Sequence, residues 1–184
     1  MARIFSILAV LFAFAALSTA APTTSPACIV QTPSVNQSTC NWYTDCAEPI
    51  FQCGSKGYPV GYGYFYCSKF AEVVPKMSEK GQTWLLGVMQ CLQSALSLKL
   101  TTPLSCPSVR SYAFGTHPTC YTSGQVSFCE LGVPDLLHLA PVFQERPWDL
   151  ITIESQKQIA TVLGTCGKQF AEKIKGIFHL PHLA

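Results

Sequence analysis

Apolar residues recur at intervals of three and four along two long stretches of the chain. In QTWLLGVMQCLQSALSLKL, residues 82–100, Trp84, Val88, Cys91, Leu92, Ala95 and Leu96 share one face of a helix, and Pro103 ends the pattern. In ESQKQIATVLGTCGKQFAEKIKGIF, residues 154–178, the series Ile159, Val162, Leu163, Cys166, Phe170, Ile174 and Ile177 does the same, while Lys157, Lys168, Glu172 and Lys175 fall mainly elsewhere. Each pattern predicts a helix that buries a cysteine on its apolar face. Shorter helices are predicted around Cys40 to Phe51, from Tyr64 to Val74, and from Pro107, a favoured first helical residue after Cys106, to about Phe114. No stretch sustains the alternation of a strand. Proline and glycine cluster between these segments, at Pro103 to Pro107, Gly115 to Pro118, Gly132 to Pro134 and Pro141 to Pro147, and there is no internal repeat. The pattern predicts an all-α fold in a single cysteine-rich helical domain over residues 21–184.

The first twenty residues follow a different rule. Arg3 precedes an unbroken apolar run from Ile4 to Leu17, and Ser18-Thr19-Ala20 then precedes Ala21-Pro22. A short apolar run ending in small residues is the pattern of a secretory signal peptide, residues 1–20, with cleavage after Ala20. The run is shorter than the roughly 20 residues that span a bilayer, and no later segment supplies a span. Removing Arg3 from the 12 basic residues leaves 11 against 10 acidic ones. So even a balance offers no basic patch to nucleic acid or anionic lipid.

All 10 cysteines lie beyond the signal segment, from Cys28 to Cys166. An even count in a secretory chain predicts five disulfides. Metal is the rival use of cysteine, but the spacings contain no C-x-x-C pair of the kind that lets one turn supply two zinc ligands. No cofactor is expected. Asn36-Gln37-Ser38 is the one N-x-S/T acceptor, in a polar stretch between Cys28 and Cys40, and predicts a glycan at Asn36.

Residues 53–67, CGSKGYPVGYGYFYC, hold four glycines and four tyrosines between two cysteines. The start of this stretch resembles the calcium loop of secreted phospholipases A2. That family places a histidine and an aspartate three and four residues past the helix cysteine, where this chain has Phe70 and Ala71. Without them there is no base to activate water and no carboxylate to complete a calcium site. His117-Pro118-Thr119-Cys120-Tyr121 resembles the same family's catalytic core, with proline in place of the metal-binding aspartate. Pro118 argues against a regular helix through this point. His117 then reads as a structural loop histidine without the orienting partner that acid-base catalysis needs. Asp45 and Glu48, three apart, read as a solvated helix face. No catalytic residue is expected.

The cysteine framework carries a second resemblance over most of the chain. The ordered gaps between cysteines, YFYCSKF at the fifth, EKGQTWLLGVMQCLQSAL leading through the sixth, TCY at the eighth and a lone tenth cysteine inside a long helix are similar to stanniocalcin, a family of secreted glycoprotein hormones. Ten cysteines allow 945 pairings, and spacing alone does not choose among them. The resemblance implies Cys28 with Cys46, Cys40 with Cys67, Cys53 with Cys106, Cys91 with Cys120, and Cys129 with Cys166. Cys53 and Cys67 then have different partners, and the stretch between them becomes a braced turn.

Stanniocalcins regulate calcium and phosphate handling, and some inhibit a secreted metalloprotease. The resemblance implies a secreted, extracellular signalling or interaction protein whose partner is an extracellular receptor or a target protease. The family's interchain cysteine lies beyond the tenth and has no counterpart after Cys166, so a monomer or non-covalent homodimer is expected. Apolar surface at Ile174, Ile177, Phe178, Leu180 and Leu183 would serve such a dimer. Two other readings share the composition, a small helical lipid or sterol carrier and a phospholipase A2-like hydrolase.

Overall fold

Serine and threonine side chains set where several helices begin. A computed structural model describes residues 28–178, so the signal segment expected over residues 1–20, Leu180 and Leu183 lie outside the described residues. Eight α-helices follow one another among those residues: α1 Glu48–Phe51, α2 Phe65–Val73, α3 Glu79–Ser97, α4 Cys106–Thr122, α5 Val133–Gln144, α6 Pro147–Leu150, α7 Ile153–Cys166 and α8 Lys168–Phe178. Wide π-helical turns, Tyr43–Ala47 and Tyr58–Tyr64, lead into α1 and α2, and single 3-10 turns lie at Val74–Lys76 and Phe128–Glu130. Ser78, Ser105 and Thr152 cap α3, α4 and α7 by accepting from the backbone N–H three residues on, which satisfies a donor the helix cannot. No strand forms among the described residues. The fold is all-α and stapled.

α4 lies between α3 and α7 and packs on both. The inward face of α3 presents Trp84, Leu85, Val88, Met89 and Leu96, all at most 3% exposed. One continuous apolar core joins these residues to Val109, Ala113 and Phe114 of α4, Leu136 and Leu139 of α5, and Leu163 of α7. Bridges Cys28–Cys46, Cys40–Cys67, Cys53–Cys106, Cys91–Cys120 and Cys129–Cys166 tie it together, and no cysteine is free. These pairs coincide with the pairs implied by the stanniocalcin resemblance. The bridges span sequence separations from 18 to 53 residues.

Several expectations from the sequence need correction. α4 continues through Pro118 instead of stopping near Phe114. A helix can absorb the lost N–H when its neighbours are fixed, and here Thr116 and Thr122 bond back to the Ala113 and Pro118 carbonyls while Cys120 is bridged to α3. The predicted helix over 154–178 is two helices, because Gly167 adopts φ 83 and breaks the axis between α7 and α8. α5 and α6 occupy stretches that proline and glycine mark as loops. Pro134 and Pro147 sit in the first turns, where the missing N–H costs nothing. Cys91 and Cys166 are half-buried at the edges of their helix faces, and on α3 the polar Gln93 is fully buried among the apolar residues.

Candidate functional site

His117 is the feature that the sequence placed least well. It is 1% exposed and lies inside α4, where α4 faces α7. Tyr58 opens the wide turn before α2 and brings its hydroxyl 2.9 Å from His117 Nε2. Gln158, from α7, brings Oε1 2.6 Å from Nδ1. A side-chain carbonyl only accepts, so Nδ1 carries the proton and Nε2 accepts from the Tyr58 hydroxyl. The structural histidine expected in a loop, without an orienting partner, is thus a buried helical histidine with two hydrogen-bond partners.

Burial dominates the chemistry of this cluster. It lowers the His117 pKa from 6.5 to about 4, against the hydrogen bond His117 donates to Gln158 and with help from the Arg110 guanidinium. The same burial raises the hydroxyls of Tyr58, Tyr62 and Tyr121. Phe114 stacks on the imidazole with centroids 5.0 Å apart, and Tyr62 and Tyr121 lie within 6.0 Å. His117 is held neutral, engaged at both nitrogens and closed off from solvent. What this arrangement does is lock the Tyr58 turn, α4 and α7 together.

Beside it lies a cavity of about 80 Å³, the room of two or three water molecules. Gln158, Tyr62 and Tyr121 form the wall toward His117, and Phe70, Trp84 and Phe143 are among the rings that continue it. Phe70 occupies the position where the phospholipase resemblance would need histidine. It is 4% exposed and packs edge-on against Phe143 at 6.0 Å.

The glycine-rich stretch divides into two parts. Only residues 52–57 turn, with Gln52 at φ 52 and Gly54 at φ 76, and from Tyr58 onward the chain is helical. The whole stretch was expected to be a braced turn, and Gly63 shows why it is not. A Cβ there would come within 2.5 Å of the Tyr43 ring, so the glycine lets the helical turn lie flat on an aromatic side chain. Glu48 does not share a solvated face with Asp45. Its Oε1 accepts from the Gly54 N–H at 2.5 Å and holds the turn closed, while Asp45 stays exposed and accepts from the Thr44 hydroxyl. Among the described residues no three His, Cys, Asp or Glu side chains gather to hold a metal ion.

Comparison with known proteins finds no matching family model, curated protein or solved structure. The functional reading therefore rests on the chain itself. Asn36 is exposed at the tip of a tight turn in which Ser34 and Gln37 exchange backbone hydrogen bonds at 3.0 and 3.1 Å. Ser38 is exposed beside it. Ile174 is 4% exposed and faces the core, so the apolar C-terminal surface expected for a dimer lacks one of its members. Among the described residues no helix is long and apolar enough to cross a membrane. The exposed large apolar side chains include Trp148, Ile151 and Ile153, at 60, 74 and 72%, near the junction of α6 and α7. Nothing in their spacing marks them as a group, because two short helices with a turn between them have no common period.

Proposed function

We propose that this chain is a secreted, stanniocalcin-like interaction protein that works by surface recognition. The observation that carries the reading is the pairing of ten cysteines in five bridges that coincide with the stanniocalcin framework, one arrangement out of 945. Bridges of this density suit an oxidising compartment. They also fix the surface before a partner arrives, which reduces the ordering cost of binding. The partner class is an extracellular receptor or a secreted protease. Trp148, Ile151 and Ile153 provide the contact, since exposed aromatic and apolar side chains in one patch are what binding energy concentrates on. Asn36 carries the glycan, on the exposed turn away from the buried core.

The test uses protein secreted from its own source, tagged and incubated in that source's extracellular fluid before cross-linking. The expected result is one discrete extracellular protein in the complex, displaced by untagged chain and lost with Ile151→Asp, whose unchanged circular dichroism shows that folding is intact. A calcium-dependent hydrolysis of phospholipid by the purified chain, or capture unaffected by Ile151→Asp, would remove this reading. Release of a glycan from Asn36 should lower the mass of secreted wild-type protein and leave Asn36→Gln unchanged.

A further inference from the structure

The cavity beside His117 is built from six aromatic rings, four aliphatic side chains around Val162, and Leu150 and Gln158, and its volume of about 80 Å³ is larger than a single water needs. Close-packed interiors leave few such spaces. Gln158 already spends its carbonyl on His117, and no carboxylate, ammonium or guanidinium lines the wall. Water would find few partners there. A charged molecule would lose several kcal/mol of hydration on entry.

α8 forms one side of this space. Its Ile174 is part of the wall, and Phe170 packs edge-on against Phe128 at 5.4 Å on the same side. The last bridge ends at Cys166, one residue before Gly167, whose φ of 83 breaks the helix and around which a Cβ would meet nothing within 4 Å. All of α8 lies past that joint, and Phe170 and Ile174 hold it to the body. Every earlier helix from α2 to α7 lies between bridged cysteines. α8 alone follows the final one.

We infer that this cavity is a binding site for a small uncharged apolar molecule, with α8 as its lid. The volume as it stands takes only a few carbon atoms, because an apolar cavity of about 150 Å³ is what accommodates benzene in a protein interior. A ring-sized ligand enters when α8 moves outward about Gly167, and the work of that movement weakens its binding. The inference is independent of the surface-recognition reading and uses none of the exposed residues assigned to it. Six aromatic faces could also attract a quaternary ammonium, so charge is the variable the experiment must separate.

The probes are benzene and tetramethylammonium, titrated into the full secreted chain with methyl groups isotope-labelled for NMR. Benzene should produce saturable shifts confined to Ile159, Val162, Leu163 and Ile174, and slower amide exchange in α8. Tetramethylammonium should produce none. Ile174→Ala makes room without lifting α8 and should tighten benzene binding about fivefold or more. Val162→Phe fills the space and should abolish it, with an unchanged amide spectrum elsewhere as the check on folding. Shifts that fail to saturate, that appear equally at exposed Ile29 and Ile151, or that persist in Val162→Phe would overturn the site. Tetramethylammonium binding tighter than benzene would overturn its chemistry, and no binding to either wild type or Ile174→Ala would mean a packing void.

Discussion

At the scale of single residues, His117 should give the molecule a measurable acid response. In the unfolded chain the imidazole takes its proton near pH 6.5, whereas in the folded chain burial delays this to about 4. The unfolded state therefore binds more protons between these values, and stability falls as pH drops through that window. The full contribution is present above about pH 6.5, and the loss amounts to roughly 3 kcal/mol by pH 4. Urea denaturation of wild type and His117→Leu at intervals from pH 7 to 4 checks this, because their stability difference should shrink by that amount as the pH falls. A constant difference would show that the histidine does not titrate as a buried base. Asp135 gives a second test. It is 3% exposed, and its two carboxylate oxygens accept from the Ser78 N–H at 2.8 Å and the Ser78 hydroxyl at 2.7 Å, holding the cap of α3 against α5. Gly81 allows that approach, since a Cβ there would sit 2.6 Å from Asp135 Oδ1. Asp135→Ala should cost about 1 to 3 kcal/mol in thermal or chemical unfolding, by removing the charged acceptor of the Ser78 N–H and hydroxyl. A loss below about 0.5 kcal/mol would place the carboxylate in solvent instead.

At the scale of elements, the sequence was most legible where one face of a helix meets one core. The three-and-four period of α3 and α7 places both helices, and the positions of Trp84, Val88, Leu96, Val162 and Leu163 in the core follow from it. α5 was hidden because Gly132, Pro134 and Pro141 are each read as breakers, although a proline in the first turn is a helix start. Pro118 hid the second half of α4 and with it the environment of His117. Gln93 escaped because its place in the period is shared with apolar neighbours and its partner, the Thr39 carbonyl, lies 54 residues away. The cavity had no sequence signal at all, being assembled from residues of at least six separate segments. The bridges were not legible from spacing either, and their order came from resemblance. One element-scale prediction follows from Cys129–Cys166, which anchors the end of α7 to the turn before α5. Replacing both cysteines by serine should cost about 2 to 5 kcal/mol and speed amide exchange in the last turn of α7 and through α8, leaving α3 protected. Uniform acceleration through α3 as well would mean that the bridge supports the whole core and not only its last two helices.

At the scale of the whole molecule, the framework decides how copies of the chain can associate. All 10 cysteines lie within the described residues, each is paired inside the chain, and none is free. A covalent dimer of the stanniocalcin kind needs a thiol left over after internal pairing. This sequence has none to offer. The apolar residues once available for a non-covalent dimer are also partly spent, since Ile174 faces the core and Ile177 is half-buried. The expected outcome is a monomer, or a self-association through exposed apolar side chains such as Trp148, Ile151 and Ile153 that depends on concentration and dissociates in detergent. Two measurements on the purified protein, made under oxidising conditions, check the scheme together. Thiol labelling under denaturing, non-reducing conditions should modify no cysteine, and electrophoresis in detergent should give the monomer mass with or without reductant. Two or more labelled cysteines would mean that a bridge is missing. A band at twice the monomer mass that collapses only on reduction would mean that a cysteine assigned here to an internal pair reaches a second chain, and the two bridges whose cysteines are both half-buried, Cys53–Cys106 and Cys129–Cys166, would be the first to reassign.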